Sequence, residues 1–178
     1  MAAMKKGVRA KLKGIRLVIF DVDGVLTDGR IIYDDEGVET KAFDVKDGHG
    51  MKLLMRAGID CAIITARESK VVEHRARNLG IGLVYQGRKD KLEAFEDIKK
   101  RTGFEPSEIA YVGDDIIDLP VMKRAGFSAA VADAVEDVVE RADYVTKRPG
   151  GRGAAREVAE LILKTQGKWD EILANYLR

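Results

Sequence analysis

The sequence predicts a doubly wound, Rossmann-like α/β fold, with a β-hairpin protruding after the first strand and no cap domain. Two observations lead there. Short runs that are apolar on both faces alternate with amphipathic segments from Ile15 to about Thr146, the pattern of buried parallel strands joined by crossover helices. Gly58, Gly80, Gly103 and Gly126 follow four of the amphipathic segments, where a helix C-terminus favours a residue that tolerates positive φ.

The expected strands cover residues 17–20, 61–64, 83–85, 109–112, 128–131 and 144–145. The expected helices cover 51–57, 69–79, 91–101, 119–125 and 134–142, with two more at 154–164 and about 172–177. Residues 30–33 and 38–45 flank Asp34-Asp35-Glu36-Gly37, which predicts a hairpin with Gly37 in its turn. The whole chain, 1–178, is expected to be one domain. Its first 14 residues are expected to be frayed, and the basic stretch 5–16 to be solvated. Strand order does not follow from the pattern.

Composition excludes several classes. Of 178 residues, 46% are hydrophobic and 34% charged, which describes a globular rather than a disordered chain. Lys and Arg number 31 against 30 Asp and Glu, a balance unlike the basic excess of a nucleic-acid binder. The lone cysteine, Cys61, lies in an apolar run; it rules out an intrachain disulfide and is expected to be a buried small hydrophobe. No apolar run approaches the ~20 residues of a membrane span, and the charged N-terminus lacks the core of a secretory signal. The expected location is the cytoplasm.

Open α/β sheets bind ligands beyond the carboxyl ends of their strands. There the sequence places Asp21-Val22-Asp23-Gly24-Val25-Leu26-Thr27-Asp28, then Thr65-Ala66-Arg67, then Lys91, then Gly113-Asp114-Asp115 and Asp118. Each part alone is weak, since Asp is common in turns and a Thr before a helix, as at Thr65, is equally suited to capping it. Together they have one physical use. Converging carboxylates resist joint ionisation unless a cation sits among them. Mg²⁺ takes carboxylate and phosphate oxygens, which suits Asp21, the backbone carbonyl of Asp23, and Asp114. Thr65 and Lys91 add a donor and a positive charge for the remaining phosphoryl oxygens, and phosphoryl transfer is mainly positioning and charge neutralisation.

Competing readings fit less well. An EF-hand loop fails at Val25 and at Ile32, where the closing Glu belongs. No Gly-x4-Gly-Lys-[Ser/Thr] loop is present. A receiver domain also groups Asp, Thr and Lys around Mg²⁺, but it has no counterpart of Gly113-Asp114-Asp115.

These four motifs, in this order, resemble the haloacid dehalogenase superfamily of phosphohydrolases. The resemblance implies that Asp21 is the nucleophile and Asp23 the general acid and base, with Thr65 and Lys91 completing the catalytic set. It makes Asp114 a metal ligand that Asp115 and Asp118 support from behind. Further segments are similar to the uncapped, tetrameric phosphatases acting on 3-deoxy-D-manno-octulosonate 8-phosphate. They are Phe43-Asp44-Val45-Lys46-Asp47-Gly48-His49-Gly50, Tyr85-Gln86-Gly87, Lys91-Leu92-Glu93-Ala94-Phe95 and Arg148-Pro149-Gly150-Gly151-Arg152-Gly153-Ala154. The similarity spans about residues 15 to 170 and departs at Ala66, often Gly there, and at His49, often aromatic.

This resemblance implies a sugar-acid phosphate substrate, a homo-oligomer and a place in lipopolysaccharide biosynthesis. It makes Asp44, Val45, Lys46, Asp47, Gly48, Arg67, Arg75 and Lys91 candidates for substrate binding. Arg67 and Arg75 lie about two turns apart if one helix holds both. His49 is expected at a helix start or pocket wall and His74 on the surface. The loop 148–153 either presents N–H groups to an anion or links flexibly to the last helices. The apolar hairpin is expected to pack on a neighbouring subunit, because an isolated two-stranded ribbon is marginal in water. A related nine-carbon substrate, or a non-catalytic Mg²⁺-binding module, are the alternatives.

Overall fold

The computed structural model describes residues 7–177. Six parallel strands form one sheet: β1 (Leu17–Phe20), β4 (Asp60–Ile64), β5 (Leu83–Tyr85), β6 (Ile109–Gly113), β7 (Phe127–Ala130) and β8 (Tyr144–Val145). Their order is β5-β4-β1-β6-β7-β8. Strand order reverses at β1, so the crevice between the ends of β1, β4 and β6 is the switch point where such sheets bind ligands.

β1 shows why its sequence is apolar throughout. Leu17 and Ile19 enter the core on one face, Val18 and Phe20 the core on the other. Helices α1 (Val8–Lys13), α2 (Val45–Arg56), α3 (Lys70–Leu79) and α7 (Ala154–Thr165) cover the Phe20 face. Helices α4 (Lys91–Thr102), α5 (Leu119–Met122) and α6 (Glu136–Arg141) cover the Ile19 face. A last helix, α8 (Trp169–Tyr176), packs against α7 and reaches α2, where the Tyr176 hydroxyl accepts from Arg56 at 3.1 Å. A sheet covered on both sides needs no polar face, which is why periodicity reads as solid runs.

Several expectations need correction. The N-terminal segment is not frayed from residue 7 onward: it forms α1, with Val8 and Leu12 buried. Burying two such side chains is worth roughly 1.5–3 kcal/mol each, which outweighs the basic residues between them. The remainder of that expected arm, residues 1–6, lies outside the described residues. The fourth glycine, Gly126, is not a positive-φ cap, unlike Gly58, Gly80 and Gly103. A side chain there would strike the Ser107 backbone, so close approach explains it.

The hairpin is shorter than expected, with β2 (Ile32–Tyr33) pairing antiparallel to β3 (Glu39–Thr40). The return strand stops at Thr40 because Asp44 starts α2, its side chain accepting from the Lys46 N–H at 2.6 Å. Val45 therefore opens a helix instead of closing a strand. Ile31, Ile32, Tyr33 and Val38 stand exposed. The N–H groups of the loop 148–153 meet partners within the chain: Gly150 N–H donates to the Asp133 carboxylate and Gly151 N–H to the Val25 carbonyl. Gly150 lies so close to the Gly24 carbonyl that any side chain would displace it. The tail thus braces the loop after β1.

Candidate active site

The loop after β1 winds tightly. The Val22 carbonyl accepts from the N–H groups of Val25, Leu26 and Thr27, and the Thr27 hydroxyl also donates to it at 3.3 Å. Asp21, at the strand end, is buried, and its N–H bonds the Val112 carbonyl on β6. Gly24 has φ 92°, and a Cβ there would fall inside the Asp114 carboxylate. Only glycine lets this turn and Asp114 share the crevice. Gly24→Ala is therefore expected to push Asp114 aside and weaken Mg²⁺ binding at least about tenfold, the equivalent of ~1.4 kcal/mol. Calorimetric titration with Mg²⁺ checks this; unchanged affinity would show that Asp114 does not depend on the gap.

Lys91 opens α4 and is buried, reaching Asp21 at 2.9 Å and Asp118 at 2.6 Å. Asp118 closes a 3₁₀ turn and is completely buried. One of its oxygens accepts from Lys91 and from the Tyr111 hydroxyl, both at 2.6 Å. The other accepts from the N–H groups of Asp114 and Asp115, at 3.0 and 3.2 Å. All four lone pairs are engaged, so Asp118 is the scaffold that holds Lys91 and shapes the Asp114 turn. The Asp115 carboxylate turns to the Ile116 N–H at 2.6 Å and is exposed.

Oxygens of Asp21, Asp114 and Asp118 lie within 4.8 Å of one another. These three carboxylates face the single ammonium of Lys91, leaving an excess of negative charge. Burial, then the Asp118 charge, pushes the Asp21 carboxyl up to about 7 despite Lys91. Burial, then Asp21 and Asp118, pushes Asp114 up to about 8. Burial opposes the Lys91 charge, but Asp21 and Asp118 outweigh it and raise its pKa. One Asp114 oxygen is buried with no hydrogen-bond partner. An all-oxygen, electron-rich cluster with an orphaned carboxylate oxygen fits a hard divalent cation.

Across the crevice, Asp23 is ion-paired with Lys41, whose ammonium also lies 3.3 Å from Glu39. Arg67 pairs with Glu39 at 2.8 Å and accompanies Asp23 at 4.0 Å. The Tyr33 hydroxyl completes this group, 3.2 Å from Arg67. Burial resists ionisation of Glu39, but the nearby Ser69 side chain, then Arg67 and Lys41, outweigh it and hold its carboxyl at about 2. Thr65 follows β4 directly and is buried, its hydroxyl accepting from the Arg67 N–H at 3.4 Å.

Arg67 and Arg75 do not share a helix face, because α3 begins at Lys70 and Arg67 sits in the preceding turn. Arg75 instead donates to the Asp44 carbonyl at 3.0 Å and lies over the Phe43 ring. Gly48 leaves room for its guanidinium. Both Asp47 oxygens cap α7, accepting from Gly153 N–H at 3.1 Å and Arg156 N–H at 2.8 Å. That buried carboxylate faces helix N–H groups, not the crevice. Val45 and Lys46 are exposed on the first turn of α2. His49 packs edge-on against Tyr176.

Sequence reasoning missed Lys41, Glu39 and Tyr111. Tyr111 carried a signal: a tyrosine within a wholly buried strand needs a partner for its hydroxyl. Lys41 and Glu39 carried none, since charged residues in a hairpin ordinarily face water.

A buried aspartate paired with a buried lysine, a second aspartate two residues on and a cation-fitting acid turn after β6 define a phosphoryl-transfer hydrolase. In keeping with this, residues 83–157 match the family model of haloacid dehalogenase-like hydrolases. The chain belongs to the 3-deoxy-D-manno-octulosonate 8-phosphate phosphatase family. It is 52% identical to that phosphatase from Escherichia coli K12, over 92% of this chain and 87% of the relative. The Yersinia pestis phosphatase structure superposes with a TM-score of 0.91 at 48% identity, covering 93% of this chain and 89% of that one. The Moraxella catarrhalis phosphatase, solved with a magnesium ion, a phosphate ion and a KDO molecule, has a TM-score of 0.94 at 46% identity. The match covers 97% of this chain and 99% of that one. No described helix is long and apolar enough to cross a membrane.

Proposed function

We propose that this chain hydrolyses 3-deoxy-D-manno-octulosonate 8-phosphate to the free sugar acid and phosphate, with Mg²⁺ held by Asp21, the Asp23 carbonyl and Asp114. The observation that carries this reading is the buried Asp21–Lys91–Asp118 group beside the unpartnered oxygen of Asp114. When bound, the cation supplies the positive charge that lets Asp21 ionise and draws in the phosphoryl group.

Asp21 attacks phosphorus, forming an aspartyl-phosphate as the bond to the sugar oxygen breaks. Asp23 gives a proton to that oxygen, then takes one from the water whose attack frees phosphate and restores Asp21. Lys91 and Thr65 bind the other phosphoryl oxygens. Arg67, on the hairpin side, and the first turn of α2 (Asp44, Val45, Lys46) are candidates for the sugar acid; a guanidinium suits its carboxylate. Asp47, Gly48 and Arg75 shape that turn from behind.

The exposed Ile31, Ile32, Tyr33 and Val38 suit burial against further copies of the chain, in a tetramer acting in the cytoplasm and supplying lipopolysaccharide synthesis. Both hydrophobic cores of the described residues pack on the one six-stranded sheet, with the β2–β3 hairpin beside it, which supports a single domain.

The test is phosphate release with Mg²⁺ across a panel of sugar phosphates, including the eight-carbon and nine-carbon acids. A strong preference for the eight-carbon acid is the expected result. Broad weak turnover would discard the named substrate, and bound Mg²⁺ with no turnover would discard the enzyme reading.

A further inference from the structure

The two carboxylates of the Asp21–Asp23 pair each have a buried ammonium of their own. Lys91 serves Asp21, and Lys41 serves Asp23. Lys91 belongs to the sheet's own crevice, whereas Lys41 comes from the residue just past β3, at the base of the hairpin.

The Lys41 side chain is only 1% exposed, against 21% for Asp23. Burying an ammonium costs several kcal/mol unless good partners receive it, so its placement is tightly determined. Its partners are one Asp23 oxygen and, at 3.3 Å, Glu39. No other hydrogen bond reaches the Asp23 carboxylate among the described residues. Among the described residues the second Asp23 oxygen has no hydrogen bond and one ion-pair neighbour, Arg67 at 4.0 Å, and so stays free to face a leaving group. Glu39 in turn holds Arg67, and Arg67 meets Tyr33 on the other hairpin strand. The contacts form a closed ring from the hairpin through Lys41 to Asp23 and back through Arg67.

We propose that Lys41 is the positioning residue for Asp23: it fixes one carboxylate oxygen so that the other is aimed at the leaving oxygen, and it ties that aim to the hairpin. This rests on the reading of Asp23 as acid and base. Lys41 itself transfers no proton. The proton passes from the free Asp23 oxygen to the sugar oxygen as the phosphorus–oxygen bond breaks, and a later proton returns to Asp23 from water.

The test compares two leaving groups in the full-length protein with Mg²⁺. A sugar alkoxide needs a proton to depart, whereas the phenoxide of 4-nitrophenyl phosphate does not. Lys41→Met is expected to lower turnover of the sugar phosphate about 100-fold, the lower range of a general acid–base contribution. With 4-nitrophenyl phosphate it is expected to keep a rapid burst of nitrophenol, followed by slow turnover as the aspartyl-phosphate waits for its base. Asp23→Asn is the reference and is expected to show the same pattern. Glu39→Gln removes the second anchor of Lys41 and is expected to give the same pattern in weaker form. It carries the test if Lys41→Met does not fold, as judged by its thermal transition.

Equal losses on both substrates without a burst in Lys41→Met, while Asp23→Asn keeps its burst, would overturn this inference alone and make Lys41 a structural ion. Unchanged sugar phosphate turnover in Lys41→Met would overturn it too. Absence of the burst pattern in Asp23→Asn would overturn both this inference and the role proposed for Asp23.

Discussion

Asp21→Asn is expected to lower turnover at least about 10⁴-fold, the scale of losing a covalent nucleophile, while making the metal-free protein more stable at pH 8. The second part follows from the crowded cluster. Folded Asp21 keeps its proton until about pH 7 and Asp114 until about 8, whereas unfolded aspartates lose theirs near 3.9. Between those values the folded state binds more protons than the unfolded one, so metal-free stability falls as pH rises and levels off above about 8. The Asp21 share is on the order of 4 kcal/mol, since each pKa unit is worth about 1.4 kcal/mol. A neutral Asn removes the Asp21 share of that slope and leaves the part of the Asp114 share that comes from burial and Asp118. Mg²⁺ binds the folded state and offsets the loss in the wild type, releasing protons as it does so. Urea unfolding at pH 5 and pH 8, with and without Mg²⁺, checks the expectation. Wild-type stability that is flat across that window without metal would mean the carboxylates are not crowded as described, and residual turnover in the variant would remove Asp21 as nucleophile.

Asp118→Ala is expected to cost about 3–5 kcal/mol of folding stability, the usual result of removing one partner from a buried ion pair. It strands the Lys91 ammonium beside Asp21 alone, leaves the Tyr111 hydroxyl without its acceptor and frees the two N–H groups that hold the turn at 114–115. Domains of this kind hold only ~5–15 kcal/mol in total, so much of the margin disappears. Asp118→Asn keeps the shape and is expected to lose less stability, yet still to lower turnover about 100-fold because Lys91 is no longer held by two carboxylates. The midpoint of urea unfolding and the phosphate-release rate separate these effects. A cost below ~1 kcal/mol for Asp118→Ala would show that the four contacts do not act together.

The two aspartates were not equally legible beforehand. Asp21 follows an apolar run, and a strand-end position at the switch point can be counted from the sequence. Asp118 lies in a turn where Asp is ordinary, and it stood in the sequence as a support behind the metal. Its bonds to Asp114 and Asp115 are local to the turn, but the buried Lys91 that it holds, 27 residues away, comes to it only in the tertiary structure. Asp47 is the converse. It lay among the resemblance-derived candidates for substrate binding, but it caps α7 from over a hundred residues away.

What the sequence determined by itself is the strands, the helices that alternate with them and the residues delivered to the sheet's carboxyl edge. Runs such as 17–20 carry that information locally, because a strand buried on both faces has no position left for a polar residue. Tertiary structure alone decided that residues 8–13 form a docked helix, that the tail braces the Gly24 turn, and that Lys41 leaves solvent to hold Asp23. Local sequence cannot foretell these, because a charged side chain is buried only where distant parts of the chain bring it the opposite charge that offsets its desolvation.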